Sequence, residues 1–183
     1  MKIGIISDTH DDVNNINKAI DIFLDKEVEV VFHAGDIISP PAAREFKRLT
    51  ENEVKIFGVL GNNDGEKKGL EKTFEDINGK LLGDFGKIEI DNLKFGIYHG
   101  TDAKKKEKMI NSNKFDVFIC GHTHRRMPEN GDIEENGKTI VLNPGNAHSS
   151  AKMNYTNPPY FREPSIMIFS TDTKNVEIFN LQN

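Results

Sequence analysis

The sequence predicts an α/β sandwich, a mixed sheet region with helices packed outside it. Two observations carry that reading. Short β-rich runs alternate with helix-patterned segments through the first half, the order expected of parallel strands joined by crossover helices. After Gly83 the pattern changes to strand paired with strand, which adds antiparallel elements. With 183 residues, 36% apolar and 29% charged, the chain makes one domain over 1–183 with room for a substantial core.

Taken in order, "KIGIIS" is a buried strand. "DDVNNINKAIDIFLDK" places Val13, Ile16, Ala19, Ile20, Phe23 and Leu24 at helical spacing. "VEVVFHAGD" is a second strand, and "PPAAREFKRL" a short helix opened by proline, whose fixed φ suits a first turn. "VKIFGVLG" is a third strand, followed by a weaker helix over "GEKKGLEKTFEDI". "KIEIDNLKFGIYHG" reads as a hairpin turning at Asp91-Asn92. A helix over "AKKKEKMINS" comes next, then strands in "FDVFICG", "KTIVLNPG" and "SIMIFSTDTKNVEIFN". Residues 149–164, "SSAKMNYTNPPYFREP", are the one long irregular stretch.

Composition narrows the function classes. A net charge of -5 argues against broad, sequence-independent nucleic-acid binding, which needs a basic surface. The single Cys120 cannot form an internal disulfide, which fits a reducing compartment. The first apolar run is too short for a signal sequence, and no segment is long enough to span a membrane. These features place the protein in the cytoplasm, with no membrane partner.

The strand ends are the informative positions. "GIIS" ends in Asp8-Thr9-His10, "VVFHAG" in Asp36, "FGVLG" in Asn62-Asn63-Asp64, "FGIY" in His99, and "VFIC" in Gly121-His122-Thr123-His124. Ligands gather at the carboxyl edge of open α/β sheets, so these residues converge if their strands share such an edge. Singly, each has a bland reading. Asp8 and Asp36 could cap helices, Asn62 and Asn63 suit a loop, and His99 could sit at the surface. Within "CGHTHRR", His122 and His124 are two apart, and in extended chain both would point one way. Capping explains neither histidines at the ends of three strands nor the repeated Asp-x-His and His-x-His spacing. Oxygen and imidazole donors are the set that binds Mn, Fe, Co, Ni and Zn. Their number exceeds what one tetrahedral zinc needs, so a two-metal centre is the economical reading.

In order, "DTH", "HAGD", "GNND", "YHG" and "GHTH" resemble the motifs of the calcineurin-like metallophosphoesterases, and "NPG" at 143–145 resembles their final strand-end turn. The opening "SDTHD" and the short length are most similar to the small archaeal and bacterial phosphodiesterase branch. The resemblance implies a four-layer α-β-β-α sandwich of two mixed sheets flanked by helices. It also implies two divalent ions, Mn or Ni foremost, with Fe, Co or Zn open. Asp8, His10 and His124 would hold one ion, Asn62, His99 and His122 the other, and Asp36 would bridge them. The implied reaction is hydrolysis of a small phosphodiester or nucleotide by in-line attack of a metal-bridging hydroxide, without a phosphoenzyme. Relatives form dimers or tetramers, so a homo-oligomer is expected.

Two positions depart from the family pattern. Asn63 stands where many members carry a histidine near the leaving group, and an amide supplies no proton. Activity on activated diesters is therefore expected to be easier to detect than on alkyl ones. Thr101 stands where relatives often have the second histidine of "HGH". Asp64 is either an orienter of the ligands or an ordinary loop carboxylate.

Other residues carry less. His33, inside a strand, reads as a satisfied core histidine. His148, after the Asn143-Pro144-Gly145 turn, reads as surface, though within reach of the cleft. Cys120 reads as a small buried hydrophobe, and Lys104, Lys105 and Lys106 as a solvated helix face. Arg125 and Arg126 could steer phosphate, but they and Lys67 and Lys68 are surface charges by default. Two alternatives stay open: a phosphomonoesterase or nucleotide pyrophosphohydrolase, and a non-catalytic protein-interaction module on the same fold. Such a module can lose metal ligands, whereas here all seven positions are filled.

Overall fold

Strands that are apolar on both faces need a sheet covered twice, and this requirement sets the layers. In a computed structural model, which describes residues 1–129, 131, 139–149 and 163–181, the chain opens with β1 (Lys2–Ile6), α1 (Val13–Asp25), β2 (Val30–His33), α2 (Pro40–Arg44), α3 (Lys47–Thr50), β3 (Lys55–Gly58), α4 (Lys67–Asp76) and β4 (Lys80–Leu81). It continues with β5 (Gly86–Ile90), β6 (Leu93–Ile97), α5 (Ala103–Ile110), β7 (Val117–Ile119), β8 (Arg126–Met127), β9 (Ile140–Pro144), β10 (Ser165–Ser170) and β11 (Val176–Asn180).

Two mixed sheets result. The first runs β11-β10-β1-β2-β3-β4 and the second β5-β6-β7-β9-β8. In the first, β1 to β4 are parallel while β10 and β11 pair antiparallel. In the second, β6, β7 and β9 are parallel, with antiparallel β5 and β8 at the edges. Successive side chains alternate faces along a strand. Ile3, Ile5, Val30, Phe32, Met167 and Phe169 thus meet Phe95, Ile97, Val117 and Ile119 between the sheets. The opposite face of the first sheet, with Val31, Ile166 and Ile168, packs on Ile16, Ala19, Ile20 and Phe23 of α1 and on α2, α3 and α4. The outer face of the second sheet buries Tyr98, Phe118 and Cys120 under Met109 and Ile110 of α5. The layers are therefore helix, sheet, sheet and helix.

Most elements fall where the sequence places them. In α1 the buried residues are Asn15, Ile16, Ala19, Ile20 and Phe23, and Val13 stays 40% exposed. The cap of α1 is Asp12, whose carboxylate accepts from Asn15 N, so Asp8 is not spent on that helix. The hairpin pairs Ile90 with Leu93. Asp91 and Asn92 take φ of 53° and 61°, the left-handed pair that a two-residue turn of this twist requires.

The single helix expected over "PPAAREFKRL" is instead two. Glu45 N bonds Ala42 O, Phe46 N bonds Ala43 O and Arg48 N bonds Glu45 O, three-residue spacings that tighten the chain between α2 and α3. The two-residue strands β4 and β8 have no β-rich signal and exist because a neighbouring strand offers them a partner. Of the irregular stretch, residues 150–162 lie outside the described residues.

Candidate metal centre

Register brings the polar strand ends together. Ile6, His33 and Gly58 align across β1, β2 and β3, so these strands leave their sheet at one level. Ile97, Ile119 and Leu142 align in the same way across β6, β7 and β9. The convergence expected at one sheet edge is thus built from two edges in different sheets. The loops after β1, β2 and β3 carry Asp8, His10, Asp36 and Asn62. The loops after β6 and β7 carry His99, His122 and His124 from the facing sheet.

Asp8 and Asp36 form the floor, 0% and 1% exposed. Asp8 Oδ2 accepts from Ser7 Oγ at 2.6 Å and His122 N at 3.0 Å. Its Oδ1 stands 3.2 Å from His124 Nε2 and 3.9 Å from both His10 Nε2 and His99 Nε2. Asp36 Oδ2 stands 3.6 Å from His10 Nε2 and 3.3 Å from His99 Nε2. Asn62 Oδ1 lies 3.2 Å from His99 Nε2. The ring of His122 lies 5.1 Å from that of His99, and the ring of His124 5.7 Å from that of His10. The His-x-His pair therefore does not face one point. Both residues have left-handed backbones, φ 66° and 55°, so the extended-chain rule fails here.

That conformation recurs around the site. Asp8, His10 and Asp36 also have positive φ, at 53°, 42° and 56°. Left-handed backbone is costly for residues with a Cβ and persists where the surroundings over-determine it. At Asp36, Asp64 supplies that determination. Its buried carboxylate accepts four backbone N–H bonds, from Asp36 at 3.0 Å, Gly61 at 2.7 Å, Ile37 at 2.8 Å and Ile38 at 2.7 Å. It holds the loops after β2 and β3 to each other and takes no direct place in the cleft. Close approach adds to this: a Cβ on Gly61 would run into Asp36 Oδ1, and one on Gly121 into Ser7 Oγ.

The electrostatics call for a cation. His99 Nδ1 lies 2.8 Å from Ala34 O. A carbonyl only accepts, so Nδ1–H donates to it and Nε2 is left facing Asp36 and Asn62 Oδ1. Burial pushes His99 down, but Asp36 and Asp8 outweigh it and raise its pKa above the usual imidazole value. Burial pushes Asp8 up, and His124, His99 and Ser7 reverse that to leave it below the ordinary carboxylate range. In Asp36, burial is likewise overcome, by His99 and by Asn63, and the carboxyl is lowered. Burial and the charge of His99 lower His122. Asp8 Oδ1 and His10 Nε2 are buried and make no hydrogen bond among the described residues. Lone pairs of two carboxylates, an amide oxygen and imidazoles facing one space suit divalent ions. Two groups could hold one: Asp8 with Asp36 and His99, and His10 with His124 and a further histidine, His148.

Other expectations resolve residue by residue. Asn63 is tied to Asp36, its backbone N donating to Oδ1 at 2.8 Å and its Nδ2 to Oδ2 at 2.7 Å. Thr101 Oγ1 donates to Asn62 Oδ1 at 3.3 Å, a support for that amide which the sequence left unassigned. His33 is fully buried and satisfied: Gly35 N donates to its Nδ1 at 3.2 Å, so Nε2–H donates to Thr9 Oγ1 at 3.1 Å. Burial pushes its pKa down to about 4. Cys120 is 2% exposed and burial pushes its thiol up to about 11. Arg126 is not aimed at the cleft; it donates to Ser165 Oγ, Glu163 O and Asn180 Oδ1. Lys67 pairs with Asp84 at 3.4 Å.

His148 is the correction. It is a half-buried member of the imidazole cluster and not a surface residue. Burial, with His10 and His124 alongside, pushes its pKa down to about 4. The same strand-end rule that found the other residues, applied after "VLNPG", would have reached it.

The chain belongs to the calcineurin-like phosphoesterase superfamily, whose domain profile matches residues 1–174, and so to the hydrolases of phosphoric esters. It is 47% identical over 146 residues to Phosphodiesterase MJ0936 of Methanocaldococcus jannaschii, covering 79% of this chain and 83% of that one. It is 30% identical to a probable metallophosphoesterase of Methanothermobacter thermautotrophicus over 97% of this chain and 90% of that one. Among solved structures, that of a novel archaeal phosphodiesterase superposes with a TM-score of 0.82 at 40% identity, covering 98% of this chain and 99% of the other. No described helix is long and apolar enough to cross a membrane.

Proposed function

We propose that this protein is a phosphodiesterase dependent on two divalent ions. Asp8, His10 and His124 hold one, Asn62, His99 and His122 the other, and Asp36 lies between them. The observation that carries this reading is the position of Asp36 Oδ2, which faces His10 on one side and His99 on the other at near-equal distances of 3.6 and 3.3 Å. The relatives named phosphodiesterases support the choice of ester. Ions bound in such a pair lower the pKa of water and neutralise phosphate oxygens. Mn and Ni are the ions proposed first, followed by Fe, Co and Zn.

The protein's own groups orient and exclude. Asn63 fixes the Asp36 carboxylate through both backbone and side chain. Being an amide, it donates a hydrogen bond to phosphate but no proton to a leaving group. Replacing Asn63 by His is expected to raise turnover on poor leaving groups by about 10² or more; an unchanged rate would remove position 63 from this account. The substrate is a small phosphodiester or nucleotide, and the working form a cytoplasmic homo-oligomer, dimer or tetramer, which light scattering would identify.

The direct test strips the protein with chelator and restores Mn, Ni, Co, Zn or Mg separately. Bis-p-nitrophenyl phosphate is assayed against p-nitrophenyl phosphate. Diester hydrolysis is expected to return with at least one ion and to fall by at least about 100-fold in Asp36→Ala. Preference for the monoester would favour a phosphomonoesterase. Metal uptake with neither ester cleaved would favour the interaction module.

A further inference from the structure

The cleft holds one histidine beyond the seven ligands named above. His148 follows the turn at the end of β9, with its ring centroid 4.6 Å from that of His10 and 5.5 Å from that of His124. One ligating nitrogen from each of the three imidazoles lies within 4.8 Å of the other two. Donors bound at about 2.1 Å to one ion are at most about 4.2 Å apart. Small ring rotations therefore bring all three to a common centre.

The approach of His148 is built into the framework. Ala147 N donates to Ser7 O at 3.0 Å, and Asn15 Nδ2 donates to Ala147 O at 2.9 Å. On the other side, Ser149 N and Oγ donate to Asp12 Oδ2 at 2.8 and 2.6 Å. Both neighbours of His148 are thus fastened to the segment from Ser7 to Asn15, which also carries Asp8 and His10. These bonds tie the loop to the segment that carries two of the ligands, and they present the imidazole to that side of the cleft.

We propose that His148 is an additional ligand of the ion held by Asp8, His10 and His124. The proposal rests on the two-ion reading above and gives the two positions different chemistry. The His10 side then offers three imidazoles. The His99 side offers two imidazoles and the amide oxygen of Asn62. Nitrogen-rich sites favour Ni, Co and Zn, whereas oxygen donors suit Mn. The pair of sites is therefore selective, with the His10 position demanding the more nitrogen-loving ion.

The test uses cobalt-loaded wild type, His148→Ala and His148→Gln, the last keeping most of the packing should the alanine variant disturb the loop. Metal-shifted imidazole N–H signals in the proton spectrum count the coordinated histidines, and competition with a chelating dye gives the two affinities. Five such signals are expected in the wild type and four in each variant. One of the two ions should bind at least about tenfold more weakly in the variants, while the other holds within about twofold. Replacement should also move preference at the weakened position from Ni toward Mn. Four signals in all three proteins, with both affinities unchanged, overturn the proposal and leave the two-ion centre standing. Unchanged binding with slower turnover overturns it too, placing His148 against substrate. A wild type that takes up no cobalt removes the centre itself.

Discussion

The two walls of the cleft are made differently. The wall from the first sheet supplies, beside His10 and Asn62, carboxylates that are buried and bound into the backbone. Asp8, Asp36 and Asp64 are all 2% exposed or less, and each accepts backbone N–H bonds. The wall from the second sheet supplies imidazoles, with His122 exposed and His124 and His148 half-buried. His99 on that side is sealed, and its ring donates to the backbone carbonyl of Ala34. The difference follows from charge. A buried carboxylate needs hydrogen bonds to stay ionised, whereas a neutral imidazole can line a rim with few. The carboxylates of the first wall are thus held in place by hydrogen bonds from the protein itself.

Breaking the carboxylate wall should cost the most. Asp64→Ala leaves four backbone N–H groups of two loops without their acceptor, and a loss of about 3 to 5 kcal/mol is expected in urea unfolding. Asp64→Asn, which keeps one acceptor oxygen, should lose about half of that. If Asp64→Ala unfolds like wild type, the loops are held by something else.

A pH series sharpens the comparison at the base of the first wall. The folded pKa of His33, about 4, lies below its ordinary value of 6.5. The unfolded chain therefore binds a proton that the folded chain refuses between these values. The stability His33 contributes as a neutral group is complete above pH 6.5 and is lost as pH falls toward 4, on the order of 3 kcal/mol in all. His33→Gln, compared with wild type in the metal-free protein at pH 7 and pH 5, should flatten the acid decline. Parallel curves would mean that His33 titrates normally.

The smallest effect belongs to a residue outside both walls. Lys105 lies over the Tyr98 ring at 4.9 Å on the exposed face of α5. Lys105→Ala is expected to change stability by no more than about 0.5 kcal/mol and to leave metal uptake unchanged. A large loss of activity would move that helix into the functional surface.

The sequence carries the alternation of elements, the Asp91-Asn92 hairpin and the convergent strand ends because these are local: periodicity, turn chemistry and residue type are written in neighbouring positions. It carries the seven clustered donors for the same reason, each standing just past a readable strand. Tertiary structure alone decides what depends on distant partners. The donors come from two facing sheets and not one edge, since strand pairing assigns β6 and β7 to a second sheet. His122 and His124 diverge because left-handed backbones, enforced by the packed loops, replace extended chain. Asp64 becomes a fastener only when four N–H groups from two loops meet it. His148 joins the cleft only because Asp12, Asn15 and Ser7, more than 130 residues earlier, hold its neighbours in place.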